Sequence, residues 1–275
     1  MSTLFLAFAL ACAPTPVQTQ PEAETAAPAP PSPTWPSPGT ELHPPQFQIP
    51  ADFAKKRIVV DAGHGAGINK NRGTTTVFCE KEEAFTLRVA EAIAPRLEAT
   101  GAFEVRMSRQ GDERTEYADR VRAAENWPAD AFISIHADAR RGNYDWSPEP
   151  GKSCPREDFA TGFAVLWSDE GDPLLVERRR EIATSIADNM AITGFGVYDG
   201  FDYVGLYDPT HPGVFVDRHV PKQRIMTLRR FKRVPSIIVE THQAWNLDEA
   251  QRWAEPSTLN AFADALAVAL VGALK

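Results

Sequence analysis

Apolar residues along the chain form short uninterrupted runs, separated by longer segments in which they recur every three or four positions. Runs within residues 57–61, 131–135 and 235–240 predict strands that are covered on both faces. The helical spacing over about 81–99 and about 257–274 predicts two long helices. We therefore expect an α/β fold, a single domain with a twisted, mostly parallel sheet and helices on both faces.

The remaining elements are predicted from weaker patterns of the same two kinds. They are strands at 103–107 and 161–168, and helices at about 115–126, 173–192 and 223–231. Residues 140–160 are rich in Gly, Pro and charge, which is typical of a surface insertion. Residues 194–219 show no helical period, which predicts a long functional loop or short hairpins near the site.

The first fifty residues follow neither pattern. Residues 3–12 read TLFLAFALAC, an apolar run that ends at Cys12, and we interpret 1–12 as a signal peptide with a lipobox. Residues 13–50 carry about half of the chain's 23 prolines and few large apolar side chains, so we expect a disordered linker. The folded catalytic domain is then residues 51–275. Either a lipid on Cys12 attaches the chain to a membrane, or residues 1–12 are an ordinary signal peptide and the protein is secreted in soluble form.

Composition limits the class of function. The chain has 275 residues, of which 43% are hydrophobic and 24% charged, and this is enough to bury one sizeable core. Its formal net charge of -8 argues against binding nucleic acid through a general basic surface. Beyond Cys12 the cysteines are Cys79 and Cys154, which either form a disulfide in an oxidising compartment or remain two separate thiols.

Two of the predicted strands deliver a histidine at the same end. His64 follows the first strand between two glycines, and His136 ends the strand that starts at Ala131. Ligands bind at the carboxyl ends of strands in open α/β sheets, so the two imidazoles indicate a metal site, and we expect zinc. The start of the first long helix offers a carboxylate as third ligand, from Glu80, Glu82 or Glu83.

Several motifs occur in one order along the chain. They are DAGHG at 61–65, an acid at the start of a long helix, MSR at 107–109 followed by Asp119-Arg120, SIHAD at 134–138 and PSIIVE at 235–240. In this order the chain resembles the zinc-dependent N-acetylmuramoyl-L-alanine amidases of the family-3 type, which are bacterial cell-wall hydrolases. The resemblance runs from about residue 57 to the C-terminus and covers the whole predicted body.

The resemblance implies a site and an activity. It implies zinc bound by His64, Glu82 and His136, with Glu240 as general base. Burial of the helix face selects Glu82, whereas the local Glu-Lys pair would select Glu80. The implied reaction is hydrolysis of the amide between N-acetylmuramic acid and L-alanine in peptidoglycan. The alternatives are a zinc carboxypeptidase-like amide hydrolase and a catalytically inactive peptidoglycan-binding protein.

Other expectations concern partners and nearby side chains. The partners are peptidoglycan and, as a further candidate, an activator protein, with the chain exported to the periplasm or cell envelope. His242 lies two residues after Glu240, so a continuing strand would place both side chains on one face, where His242 could stabilise an oxyanion. Asp61 or Asp138 is a candidate for orienting a ligand imidazole.

Overall fold

The structure is a computed structural model that describes residues 41–66, 71–111, 113–140, 142–219 and 225–275. The predicted signal peptide with Cys12, and the predicted linker up to residue 40, lie outside the described residues. The sequence also assigns residues 41–50 to the linker, but there Leu42 and Phe47 pack against the apolar core. The backbone N–H of His43 donates to the carbonyl of Thr193 at 3.0 Å.

Seven strands form one mixed sheet, and two more form a small hairpin. The strands of the described residues are β1 (Lys56–Ala62), β2 (Phe103–Met107), β3 (Ala131–Asp138), β4 (Tyr144–Trp146), β5 (Cys154–Arg156), β6 (Ala164–Trp167), β7 (Tyr207–His211), β8 (Val214–Asp217) and β9 (Ser236–Gln243). The sheet order is β2-β1-β3-β9-β6-β8-β7, with β4 paired to β5 apart from it. Only the β6–β9 and β7–β8 pairs of the sheet are antiparallel, so the predicted mostly parallel sheet is confirmed.

Helices α1 to α4 lie in connections between strands, and α5 and α6 follow the last strand, β9. In the described residues they are α1 (Glu82–Ala99), α2 (Tyr117–Asn126), α3 (Pro173–Thr193), α4 (Met226–Arg229), α5 (Leu247–Ala254) and α6 (Pro256–Ala273). The pattern of apolar residues predicts α1, α2, α3 and α6 to within a few residues. α5 has no counterpart among the predicted elements.

Side chains alternate between two apolar layers on opposite faces of the sheet. Ile58 and Ile133 point into the larger layer with α1, α3 and α6. Val59 and Phe132 point to the opposite face, where α2 and Phe231 cover them. Helices on both faces are therefore confirmed, and whether a residue of β1 or β3 has an odd or even number indicates which layer its side chain joins.

α6 is long and apolar enough to cross a membrane by length and composition alone. Its most apolar window is 61% buried inside the protein, where it packs against α1 and α3. Burial of this kind is typical of the core helix of an α/β domain.

The insertion at 140–160 is tied to the segment that leads into α1. Cys79 and Cys154 form a disulfide, which resolves the two alternatives for these cysteines. The indole N–H of Trp146 donates to the carbonyl of Val77 at 2.8 Å. The hairpin of β4 and β5 therefore braces the chain just before the first turn of α1.

Candidate metal centre and adjoining cavity

Parallel pairing of β1 with β3 brings the two predicted histidines together. Ala62 lies opposite Ile135, so the residues that follow both strands emerge at the same edge of the sheet. Gly63 allows this approach, since a Cβ there would lie 2.4 Å from Nε2 of His136. His64 itself adopts a left-handed backbone conformation with φ of 59°, which turns its ring back toward His136. The ring centroids are 4.7 Å apart.

Glu82 is the first residue of α1 and reaches the same point. Its Oε2 accepts a hydrogen bond from the N–H of Thr74 at 3.0 Å, and its Oε1 accepts one from the N–H of Ala137 at 3.2 Å. Gly73 leaves room for the carboxylate, because a Cβ there would lie 2.3 Å from Oε2 of Glu82. Glu80, the alternative candidate, pairs with Arg88 instead.

The three side chains offer one ligand atom each within 4.8 Å of one another. Oε1 of Glu82 lies 3.0 Å from Nε2 of His64 and 3.1 Å from Nδ1 of His136. Two ligand atoms at about 2.1 Å from a tetrahedral zinc ion lie roughly 3.4 Å apart, close to both distances. Two imidazoles and one carboxylate with an open position form a known type of catalytic zinc site. The residues present therefore fit the metal that the resemblance implies.

Electrostatics also make this cluster suitable for a cation. Burial alone would raise the pKa of Glu82, but hydrogen bonds and charge from His136 and His64 lower it well below its ordinary value. Burial likewise opposes a charged His64, but the hydrogen bond and charge of Glu82 outweigh it and raise the pKa of the imidazole. Glu82 is thus held as a carboxylate between two imidazoles.

Glu240 lies beside the cluster because β9 pairs in parallel with β3. His136 and Glu240 are partners in that register, and both line one cavity of about 370 Å³. Burial, with the charges of Asp138 and Glu82, raises the pKa of Glu240 well above its ordinary value. A carboxyl group with a raised pKa next to a candidate metal centre is suited to accept and return a proton.

The lining of the cavity is part apolar and part polar. Its larger apolar side chains are Ile238, Ile225 and Met226, and its polar side chains are those of His64, Glu82, His136, Asn71, Thr74, Tyr117, Asp138, Thr227 and Glu240. The structure thus brings together all four predicted site residues, His64, Glu82, His136 and Glu240. Their roles as ligands and base stay predictions at this point.

The expectation for His242 is wrong. A bulge in β9 shifts the register between the His136–Glu240 pair and the Asp138–Gln243 pair, so three steps of β9 match two of β3. The extra residue reverses the alternation of side chains between the two faces of β9. The side chain of His242 therefore points to the face of the sheet that α1 covers. Its ring stacks on Trp253 at 5.6 Å and meets Phe85 edge-on at 4.9 Å. His242 is 1% exposed and does not line the cavity.

The expectation that Asp61 or Asp138 orients a ligand imidazole is wrong, because both carboxylates have other partners. Asp61 forms an ion pair with Arg120 at 2.9 Å, with both side chains fully buried. Asp138 accepts a hydrogen bond from the hydroxyl of Tyr203 at 2.6 Å and pairs with Arg140 at 3.2 Å. Both acids therefore stabilise the frame around the site.

Sequence reasoning missed Asn71, Thr74 and Tyr117 as parts of the cavity. Asn71 and Thr74 belong to a polar, Gly-containing segment in which no residue is marked by spacing. Tyr117 begins α2 and reaches the cavity only because that helix covers the end of β1. The element α5 did have a signal, since Asn246 caps it and Glu249 follows three residues later.

Comparison with known proteins was made at the level of family, sequence and structure. Residues 58–271 match the family Amidase_3, described as N-acetylmuramoyl-L-alanine amidase. The match includes all four candidate site residues. It spans well over half of the chain.

Two curated relatives are about one-third identical to this chain over short aligned stretches. The sporulation-specific N-acetylmuramoyl-L-alanine amidase of Bacillus subtilis is 34% identical over 89 residues, 31% of this chain and 32% of that protein. The N-acetylmuramoyl-L-alanine amidase AmiC of Escherichia coli is 33% identical over 82 residues, 30% of this chain and 19% of that protein. The matched stretch thus spans about a third and a fifth of these relatives.

A solved structure shows the same fold. The N-acetylmuramyl-L-alanine amidase Ami1 of Mycobacterium smegmatis superposes with a TM-score of 0.62 at 21% identity. The superposition covers 82% of this chain and 99% of that one. The predicted fold class is confirmed by this similarity.

Proposed function

Since the chain belongs to the Amidase_3 family, we propose that it hydrolyses the amide bond between N-acetylmuramic acid and L-alanine in peptidoglycan. One observation carries the proposal: His64, Glu82 and His136 converge on one point of a cavity that Glu240 also lines. The family match supplies the substrate class, and the cluster of donor atoms supplies the chemistry.

His64, Glu82 and His136 would hold a zinc ion. When bound, Zn²⁺ acts as a Lewis acid toward water and toward the scissile carbonyl. Glu82 is prepared for this role, because its carboxylate is buried, ionised and anchored by the backbone N–H groups of Thr74 and Ala137. These hydrogen bonds fix the carboxylate, so little reorganisation is needed to accept a cation.

Glu240 acts as the general base and then as the general acid. It accepts a proton from the attacking water and passes it to the nitrogen of the leaving L-alanine as the amide bond breaks. Burial of Glu240, together with the charges of Asp138 and Glu82, raises its pKa, which favours its protonated state after the first transfer. A neutral amide at this position could not carry out either transfer.

The lining of the cavity suits the two groups joined by the scissile amide. The lactyl group and L-alanine both carry a methyl group, and Ile225, Met226 and Ile238 add apolar side chains to a lining that also holds the charged cluster. We assign contact with the two methyl groups to these three side chains.

The proposed location is outside the cytoplasm, at the periplasm or cell envelope. The disulfide between Cys79 and Cys154 supports this location, because such bonds persist in oxidising compartments. The lipid anchor at Cys12 and the activator protein stay predictions from the sequence.

Digestion of purified sacculi tests the proposed activity. Wild type should release free lactyl carboxyl groups on muramic acid and new L-alanine amino termini. Glu240→Gln should lower the rate by about 10²- to 10⁴-fold with an unchanged zinc content, because only the proton transfer is removed. Glu91→Gln, an exposed change on α1, is the matched control.

The products separate the alternatives. Cleavage within the stem peptide, with the muramoyl amide intact, would identify a carboxypeptidase-like enzyme. Sedimentation with sacculi and no cleavage by wild type would identify a binding protein. Either result would overturn the proposed reaction.

A further inference from the structure

Asn71 stands between His64 and Tyr117 on the wall of the cavity. Its Oδ1 lies 3.0 Å from Nδ1 of His64, and its Nδ2 donates to the hydroxyl of Tyr117 at 3.2 Å. All three side chains line the cavity. A continuous hydrogen-bonded chain therefore runs from a candidate metal ligand to the first turn of α2.

A backbone donor fixes the orientation of the Asn71 amide. The N–H of Gly73 donates to Oδ1 of Asn71 at 3.3 Å, and a backbone N–H can only donate. The atom facing His64 is therefore the amide oxygen, which can only accept. Nδ1 of His64 therefore donates its proton to Asn71. Without a metal, Nε2 can donate to Oε1 of Glu82 at 3.0 Å, so a cation that binds Nε2 displaces only the proton on that nitrogen.

Asn71 is itself held in place from both ends. The N–H of Gly65 donates to its carbonyl oxygen at 2.8 Å, which ties the backbone of Asn71 to the residue that follows His64. At the other end, the guanidinium of Arg120 lies 4.9 Å from the ring centroid of Tyr117. The same guanidinium donates to the carbonyl oxygen of His64 at 2.5 Å. α2 thus restrains both the backbone and the ring of His64.

We propose that Asn71, anchored by Tyr117, is a positioning residue that locks His64 in the tautomer whose Nε2 binds the metal. The inference rests on the proposed metal centre and adds residues that neither the family match nor the motifs single out. His136 is held differently, by its close fit against Gly63. Loss of Asn71 therefore affects one of the two imidazoles.

The test is the zinc dissociation constant of the full chain, measured by competition with a chromophoric chelator. Asn71→Ala should weaken zinc binding by about 10- to 100-fold, since partners of this kind typically contribute that much. Asn71→Asp keeps an oxygen acceptor for Nδ1–H and should stay within about threefold of wild type. Tyr117→Phe should cause a smaller loss than Asn71→Ala, of several-fold. Asn260→Ala, exposed on α6, is the matched control.

A second readout is independent of both metal and activity. In the metal-free protein, ¹⁵N spectra of labelled histidine should show a hydrogen-bonded proton on Nδ1 of His64 in wild type, and a fraction of rings without that proton in Asn71→Ala. Zinc affinity of Asn71→Ala within twofold of wild type would overturn the inference. Equal losses in Asn71→Ala and Asn71→Asp would also overturn it, since they would indicate a general disturbance of the segment. An unchanged affinity in Tyr117→Phe would contradict the role given to Tyr117.

His136→Ala distinguishes failure of this inference from failure of the metal centre. If His136→Ala binds zinc like wild type, the proposed centre is wrong. If His136→Ala loses zinc and Asn71→Ala does not, the centre stands and only the positioning role falls.

Discussion

Two buried carboxylates at the same edge of the sheet have opposite kinds of partners. Asp61, at the end of β1, accepts hydrogen bonds from Arg120 and from the hydroxyls of Ser108 and Ser134. Glu82, at the start of α1, faces the imidazoles of His64 and His136 on the wall of a cavity. The first carboxylate is closed in by the fold, and the second opens onto space that a ligand can enter.

The two carboxylates differ in whether their partners can lose a proton. A guanidinium stays protonated, so the ion pair of Asp61 and Arg120 is a permanent part of the interior. An imidazole can lose its proton and offer a lone pair to a metal. We therefore expect substitutions in the closed cluster around Asp61 to change stability. Substitutions in the open cluster around Glu82 should change metal binding.

The largest expected effect on stability comes from breaking the closed cluster. Arg120→Met leaves the carboxylate of Asp61 buried without its counter-ion and should lower the free energy of unfolding by about 3–5 kcal/mol. The measurement is urea denaturation of the metal-free protein. Arg122 lies two positions after Arg120 and is an exposed partner of Asp119. Arg122→Met should therefore lower the free energy of unfolding by less than about 1 kcal/mol. Equal losses in the two variants would remove the distinction between the clusters.

His242 sharpens the comparison, because it is a histidine near Glu82 that belongs to neither cluster. Burial lowers its pKa to about 3. The folded chain keeps His242 neutral while the unfolded chain gains a proton below about pH 6.5, so stability falls as the pH drops from 6.5 toward 3. The slope is about 1.4 kcal/mol per pH unit, or roughly 2 kcal/mol at pH 5.

Substitution of His242 measures this smaller effect. His242→Phe keeps a ring between Phe85 and Trp253 and should reduce the loss of stability between pH 7 and pH 5 by about 2 kcal/mol. Urea denaturation with chelator present checks it, with the exposed His43→Gln as control. An unchanged pH dependence in His242→Phe would mean that His242 is not buried as a neutral ring.

The predictable parts of the molecule are those encoded by local pattern. β1, β3 and β9 are apolar on both faces, so their runs are uninterrupted and their polar ends stand out in the sequence. Since β1, β3 and β9 are parallel neighbours, their ends meet. The runs predicted that His64 and His136 lie at one edge of the sheet, whereas Glu240 was implied by the resemblance to the amidases.

The parts that sequence missed depend on contacts between distant segments. A one-residue bulge in β9 moves His242 to the other face, and nothing in THQAW announces it. Asn71 and Tyr117 are 46 positions apart and meet only because α2 packs over the end of β1. The preference for Glu82 over Glu80 did not need such contacts, because the apolar face of α1 already indicated its register in the sequence.

Zinc titration of the metal-free chain, followed by calorimetry, tests the central claim most directly. Wild type should bind one Zn²⁺ per chain, and Glu82→Ala should bind it at least about 100-fold more weakly, because an anionic ligand of the ion is lost. Glu80→Ala, which removes the neighbouring carboxylate paired with Arg88, should match wild type. Tight zinc binding by Glu82→Ala, or its loss in Glu80→Ala alone, would contradict the account.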